Sequence, residues 1–271
     1  MTRESMLQAV ADLVRQANAE IMDVYAREDF GVETKEDDSP LTQADLRAHR
    51  VLEAGLRALT PELPVISEES GLASYEERRT WARYWLIDPL DGTKEFIARN
   101  GEFTVNVALI EDGQPTLGCV GVPARDALYL GDVLAGMATC IDARGTRALR
   151  ARPMQAGRAV AAVASRRHGG ERLEVMLKAM EADFGTVELK NVGSALKLCL
   201  IAEGEADIYP RLGPTSEWDI AAAQAVLQAA GGAVTQLDGS AIEYNKRDIL
   251  NPEFLAVADP AYGWAARLPR V

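Results

Sequence analysis

The sequence predicts a mixed α/β protein in two lobes, an α+β half followed by an α/β half. Three observations lead there. Met6, Leu7, Val10, Leu13, Val14, Ala17, Ile21 and Val24 recur at helical spacing. From Phe103 to Val133, apolar runs alternate with turn signals at Asp112-Gly113 and Pro123-Ala124-Arg125-Asp126, the pattern of an antiparallel meander. Beyond Arg158, short apolar runs alternate with helical stretches, as in a sheet whose strands are joined by helices.

In chain order, the long first helix gives way to the polar loop Lys35-Glu36-Asp37-Asp38-Ser39-Pro40. Thr42 then offers an N-cap to a second helix through Leu52 and Leu56. Val65-Ile66 and Tyr84 to Ile87 read as short strands, each running into acidic residues. The meander follows. In the second half, Ala159 to Val163 reads as a buried strand and Arg172 to Met180 as a helix. Ser194 to Ala202 gives another helix and Asp207-Ile208-Tyr209 a strand. A helix from Glu217 to Ala230 stops at Gly231-Gly232, a C-cap signal, and strands at Ala233-Val234 and Phe254 to Val257 close the pattern. The lobes are set at residues 1–150 and 151–271, joined between Arg144 and Arg158.

The 271 residues are 48% hydrophobic and carry a formal charge of −12, which repels nucleic-acid polymers and anionic membranes. A phosphorylated substrate would therefore need metal ions or a local basic pocket. Cys119, Cys140 and Cys199 form no CxxC pair and read as reduced, buried thiols of a cytoplasmic protein. No stretch reaches the ~18 apolar residues of a membrane span, although peripheral contact with a membrane face stays open. With only His49 and His168, a histidine-rich metal site is excluded, and no dinucleotide, Walker or nucleophile-elbow motif is present.

The chemical signal is Tyr84-Trp85-Leu86-Ile87-Asp88-Pro89-Leu90-Asp91-Gly92-Thr93. A buried strand delivers Asp88 to its C-terminal edge, Pro89 turns the chain, and Asp91 folds back beside Asp88. Gly92 permits close backbone approach, and Thr93 opens a short helix whose free N–H groups face an anion. Two converging carboxylates repel unless a cation lies between them, and Mg²⁺ suits hard oxygen ligands. The competing reading is an Asp-Pro turn in which Asp91 and Thr93 merely cap a helix. Glu68-Glu69 follows another strand, and on an extended segment only one of the two side chains reaches the metals. Trp218-Asp219 opens a helix, where Ser216 and Asp219 also have capping-box spacing.

Glu68-Glu69-Ser70, Asp88-Pro89-Leu90-Asp91-Gly92-Thr93 and Trp218-Asp219 resemble, in order, the three motifs of the inositol monophosphatase-like superfamily of Mg²⁺ phosphatases. Lys35 to Asp45, Lys94 to Thr104, Val192 to Glu217 and Tyr244 to Pro252 are similar to the bacterial CysQ-type 3′(2′),5′-bisphosphate nucleotidases. The resemblance covers nearly the whole chain. It implies a layered α/β/α/β/α sandwich of the inositol monophosphatase and fructose-1,6-bisphosphatase type. It implies Mg²⁺-dependent, lithium-sensitive hydrolysis of 3′-phosphoadenosine 5′-phosphate to AMP and phosphate, in sulfur metabolism. Two to three Mg²⁺ ions are implied: one on Glu68, Asp88 and the Leu90 carbonyl, one on Asp88, Asp91 and Asp219, and a third near Glu68 through water. Thr93, hydrogen-bonded to Asp45, would orient and help deprotonate the attacking water, and Glu68 would share in catalysis.

Substrate contacts are expected from Glu68, Leu90, Asp91, Gly92, Thr93 and Asp219, and from the second lobe. There the candidates are Arg166, Arg167 and His168 after a strand, Gly193, Ser194 and Lys197 opening a helix, and Arg211. The partner is a small phosphorylated nucleotide, and the resemblance implies a monomer. It also allows a place at the cytoplasmic face of the inner membrane. Ser67 and Ser165-Arg166-Arg167-His168 depart slightly from the family pattern, the latter in base recognition. An inositol or broad sugar phosphatase of the same superfamily and a non-catalytic divalent-metal module are the competing readings.

Overall fold

The computed structural model describes residues 1–34, 40–155, 157–165 and 170–269, and the elements below are those of the described residues. Thr2 caps α1 (Arg3–Tyr25), whose apolar stripe from Met6 to Val24 is buried. The short pair β1 (Glu33–Thr34) and β2 (Pro40–Leu41) leads to α2 (Gln43–Leu59), capped by Thr42 as the sequence predicts. Then come β3 (Val65–Ser67), α3 (Tyr75–Arg78), β4 (Arg83–Asp91) and α4 (Thr93–Ile97). The meander continues through β5 (Thr104–Glu111), β6 (Gln114–Val122), β7 (Ala127–Asp132), β8 (Met137–Asp142) and β9 (Gly145–Ala148). After β10 (Val160–Ala164) come α5 (Gly170–Phe184), β11 (Val187–Asn191), α6 (Leu196–Ala202) and β12 (Ile208–Arg211). The chain closes with α7 (Glu217–Ala229), β13 (Ala233–Gln236), β14 (Phe254–Val257) and α8 (Trp264–Arg267).

Two sheets result. A seven-stranded sheet has the order β3-β4-β5-β6-β7-β8-β9, antiparallel apart from the parallel β3/β4 pair. A five-stranded sheet has the order β11-β10-β12-β14-β13, with β10 parallel to both neighbours and the β12/β14 and β14/β13 pairs antiparallel. Helices α1 and α2 cover one face of the first sheet, with Trp85, Ile87, Val107 and Leu109 buried beneath them. Helices α6 and α7 lie between the sheets in the largest apolar cluster, and α5 covers the outer face of the second sheet over Met176, Met180 and Ile208. The layering is α/β/α/β/α, the expected sandwich.

The central layer depends on close approach. Alanine-rich α7 is buried nearly all round, and a Cβ on Gly118 of β6 would stand 2.2 Å from the Ala222 carbonyl oxygen. Only glycine lets that strand touch the helix backbone. The helix in turn brings Asp219 to the mouth of the first sheet. One local expectation is corrected. Pro89 does not turn the chain: β4 runs on to Asp91 through a β-bulge between Asp88 and Asp91. A bulge tolerates proline because the ladder is already interrupted there, and it re-aims neighbouring side chains. No described helix is long and apolar enough to cross a membrane.

Candidate active site

The bulge in β4 sets the first carboxylates. Asp88, paired with Asn106 of β5, is 1% exposed, and its Oδ1 accepts a 2.9 Å hydrogen bond from the Leu90 amide. Asp91 Oδ2 accepts from the Ala195 amide at 2.6 Å. Gly92 follows with φ +90, a left-handed conformation costly for other residues, and starts α4 at Thr93. Glu68 lies in the turn just past β3, its amide bonded to the Ile87 carbonyl at 3.2 Å. From across the molecule, Asp219 accepts from the Ser216 amide through Oδ2 at 2.8 Å. The capping box suggested by the Ser216 and Asp219 spacing is therefore formed, but it occupies only one oxygen of Asp219.

Glu68, Asp88, Leu90, Asp91, Thr93 and Asp219 line one cavity of about 330 Å³. Burial, and then the charges of Glu68, Asp91 and Asp219, push the Asp88 carboxyl well above the usual range. Burial and the Asp91 charge do the same to Asp219. Burial raises Asp91 to about 6 against the pull of Lys197. Among the described residues, no three His, Cys, Asp or Glu side chains already close on one ion-sized point. The set is grouped but open: Asp88, Asp91 and Asp219 each commit one oxygen to a backbone amide. Hard oxygens in excess negative charge, with the Leu90 carbonyl on the same wall, fit Mg²⁺.

This electrostatic strain has a measurable sign. Burial raises the Asp91 carboxyl to about 6, whereas in the unfolded chain it keeps the ordinary value of 3.8. Between those values the native state holds more protons, so this group's contribution to stability declines as pH rises. Mg²⁺ requires the deprotonated carboxylates. The gain in melting temperature on adding Mg²⁺ should therefore grow from pH 4 to pH 6. A thermal-shift series with a constant or shrinking gain would contradict the assignment of these carboxylates.

Beside the carboxylates stand Asp45 and Thr93. Thr93 Oγ1 lies 3.2 Å from Asp45 Oδ1 and 3.3 Å from the Leu90 carbonyl oxygen. Asp45 is 1% exposed, and its Oδ2 accepts from Thr42 through both the amide, at 2.8 Å, and Oγ1, at 2.6 Å. Burial raises the Asp45 carboxyl despite these bonds. The expected pair is thus formed, and its carboxylate is held from behind.

The acidic cavity continues into a cleft of about 350 Å³ lined by Lys94, Ser165, Lys197, Tyr209, Arg211 and Phe254, among others. Lys197 is 5% exposed and donates to the Ser194 carbonyl at 2.7 Å and the Val192 carbonyl at 3.3 Å. It lies 5.1 Å from the Tyr209 ring centroid, and burial lowers its pKa to about 8. Arg211 is 8% exposed and donates to the Pro214 and Gly213 carbonyls at 2.7 and 3.1 Å. Both cations are buried parts of the wall.

The expected anion site at Gly193-Ser194 is corrected. Helix α6 begins only at Leu196, and the Gly193 and Ala195 amides already donate to Glu102, at 2.9 Å, and to Asp91. Those donors serve the protein's own carboxylates, and Gly193 and Ser194 remain as cleft lining. His168, Arg166, Arg167 and the Lys35 to Ser39 stretch lie outside the described residues.

One residue escaped sequence reasoning. Asn106, 1% exposed, places Nδ2 3.4 Å from the Asp219 carbonyl oxygen and steadies the Asp91 carboxylate. The available signal was a single amide interrupting the apolar run Phe103-Thr104-Val105-Asn106-Val107-Ala108.

The chain is 45% identical over 252 residues to the Salmonella typhimurium protein named 3′(2′),5′-bisphosphate nucleotidase CysQ, covering 92% of this chain and 98% of that one. It is 44% identical, with the same coverage, to the Escherichia coli K12 protein of that name. The crystal structure of CysQ from Bacteroides thetaiotaomicron, described as a bacterial member of the inositol monophosphatase family, superposes with a TM-score of 0.82. The two sequences are 38% identical, over 94% of this chain and 97% of that one. The pattern of the inositol monophosphatase family matches residues 2–268, and the chain belongs to that family.

Proposed function

We propose that this protein is a Mg²⁺-dependent 3′(2′),5′-bisphosphate nucleotidase that hydrolyses 3′-phosphoadenosine 5′-phosphate to AMP and phosphate. The observation that carries the proposal is the continuity of two unlike chambers. A cavity of mutually repelling carboxylates, with the Asp45–Thr93 pair at its wall, opens into a cleft walled by buried Lys197 and Arg211. A substrate with two anionic groups matches that division. The likeness to proteins named bisphosphate nucleotidases supports the same reading.

In this reading Glu68, Asp88 and the Leu90 carbonyl would hold one Mg²⁺, and Asp88, Asp91 and Asp219 a second, with a third ion near Glu68. Bound Mg²⁺ supplies Lewis-acid charge that makes water a nucleophile near neutral pH and offsets the charge of the reacting phosphoryl group. Thr93 has one hydroxyl proton. Donated to Asp45, it leaves Oγ1 free to accept a proton from water, and Asp45, raised by burial, is a stronger proton acceptor than an exposed carboxylate. The water oxygen bonds to phosphorus, the bond to the ribose 3′-oxygen breaks, and that oxygen leaves with a proton as the AMP hydroxyl. The remaining 5′-phosphate faces Lys197, still largely protonated at neutral pH, and Arg211.

Charge-assisted bonds to phosphate contribute about 1.5–3 kcal/mol, so Arg211→Ala or Lys197→Met should raise KM for the bisphosphate by roughly tenfold or more. Turnover of inositol monophosphate, which lacks the second anionic group, should fall less, by whatever the lost Lys197 pull on Asp91 costs the metal site. Comparing kcat/KM for the two substrates in wild type and variants tests the proposal. A wild-type preference for inositol monophosphate, or equal losses on both substrates, would assign the site to an inositol or sugar phosphatase.

A further inference from the structure

The stretch from Tyr244 to Pro252 takes no part in the chemistry above, yet its polar groups converge on the first turn of α7. Arg78, at the end of α3, is 2% exposed, and its Nη1 donates to Asn245 Oδ1 at 2.8 Å. Asn245 Nδ2 donates back to the Arg78 carbonyl at 2.6 Å, and Arg78 also reaches the Lys246 and Ala73 carbonyls. With φ +63, Asn245 is in the left-handed region, which asparagine tolerates better than most residues. The Asn245 and Lys246 amides then both donate to Glu217, at 2.7 and 3.0 Å, and Lys246 Nζ pairs with it at 2.6 Å. Glu217 is 1% exposed, begins α7, and stands two residues before Asp219. Backbone bonds extend the grip: Glu217 donates to the Ile249 carbonyl and Asn251 to the Thr215 carbonyl.

This arrangement answers a mechanical problem. Asp219 faces carboxylates of the first sheet whose charges repel it. Its capping bond to Ser216 fixes the side chain only relative to its own helix. Something must hold the helix start against the first sheet's acidic residues, and Arg78 belongs to the segment that leads from Glu68 to β4. We propose that Arg78, Asn245 and Glu217 form a positioning latch that holds Asp219 in register with Glu68, Asp88 and Asp91 for cation binding. The proposal rests on the metal-site reading above. Partners behind metal ligands orient them, and their loss typically weakens metal affinity by about 10–100-fold.

The test is calorimetric titration of the purified full chain with Mg²⁺ alone, together with its melting temperature before metal is added. Asn245→Gly keeps the left-handed backbone and removes both amide contacts with Arg78. Arg78→Lys keeps the charge but not the planar fork. Each should raise the Mg²⁺ dissociation constant by about tenfold. Arg3→Ala serves as the stability control, since Arg3 binds Glu111, at the end of β5 remote from Asn106, and Asp132, at the end of β7. It should lower the melting temperature with Mg²⁺ affinity unchanged. Wild-type affinity in Asn245→Gly and Arg78→Lys, or an affinity loss in Arg3→Ala scaling with its stability loss, overturns the latch. If wild-type protein takes up no Mg²⁺, the metal-site reading itself fails and the latch falls with it.

Discussion

Asp88→Asn should abolish phosphate release while sparing the fold. Asp88 stands at the centre of the acidic cavity, repelled by Glu68, Asp91 and Asp219, and is the carboxylate common to both proposed ions. The amide is nearly isosteric, and its oxygen can still accept the hydrogen bond from the Leu90 amide. What it removes is the charge that makes the pocket attract a cation. Preorganised electrostatic stabilisation of this kind is commonly worth about 10²–10³-fold in turnover per group, and a group serving two ions should cost at least that much. Relief of carboxylate repulsion should also raise the melting temperature of the metal-free protein slightly. Steady-state turnover at saturating Mg²⁺ decides the matter. A variant retaining a tenth or more of wild-type kcat would falsify the central place given to Asp88.

Asp45→Asn and Thr93→Ala should lower kcat by about 10²–10⁴-fold with little change in KM, because their proposed action is on the attacking water. The competing role is structural, since Asp45 completes the Thr42 capping box of α2, a bond worth about 1 kcal/mol. The two roles separate cleanly across the pair. Asp45→Asn disturbs the cap, whereas Thr93→Ala leaves it intact and removes only the hydroxyl 3.2 Å from Asp45. Parallel kinetics and thermal melts on both variants distinguish them. Near-normal turnover in Thr93→Ala would reduce the pair to a helix cap and leave the water without a base.

Much of this was legible in the residues, for reasons that are local. The α1 stripe, the Thr42 cap and the Gly231 stop are written in short-range patterns, and the structure places all three as read. The carboxylates were legible because Asp88 to Thr93 sits at the end of an unmistakably apolar strand. What the sequence hid depends on distant partners. Whether Lys197 is solvated or buried is decided by packing against Tyr209 and the Val192 and Ser194 carbonyls, none of which leaves a mark on the lysine itself. The amides at Gly193 and Ala195 looked available for a ligand until Glu102 and Asp91 were seen to occupy them, from 91 and 104 residues away. The bulge at Pro89 was misread as a turn because proline signals both, and only pairing with β5 distinguishes them. Strands β8, β9 and β11 are not legible: β8 and β9 lie beyond the Phe103 to Val133 run, and the edge strands β9 and β11 are short and largely exposed.

The most direct test is phosphate release from 3′-phosphoadenosine 5′-phosphate by the purified protein, assayed with Mg²⁺, with EDTA in excess, and after Mg²⁺ is restored. The account predicts release with Mg²⁺, none under chelation, and recovery on restoring the ion, with AMP as the other product. Release that persists undiminished in EDTA, or no release in any condition, would contradict it.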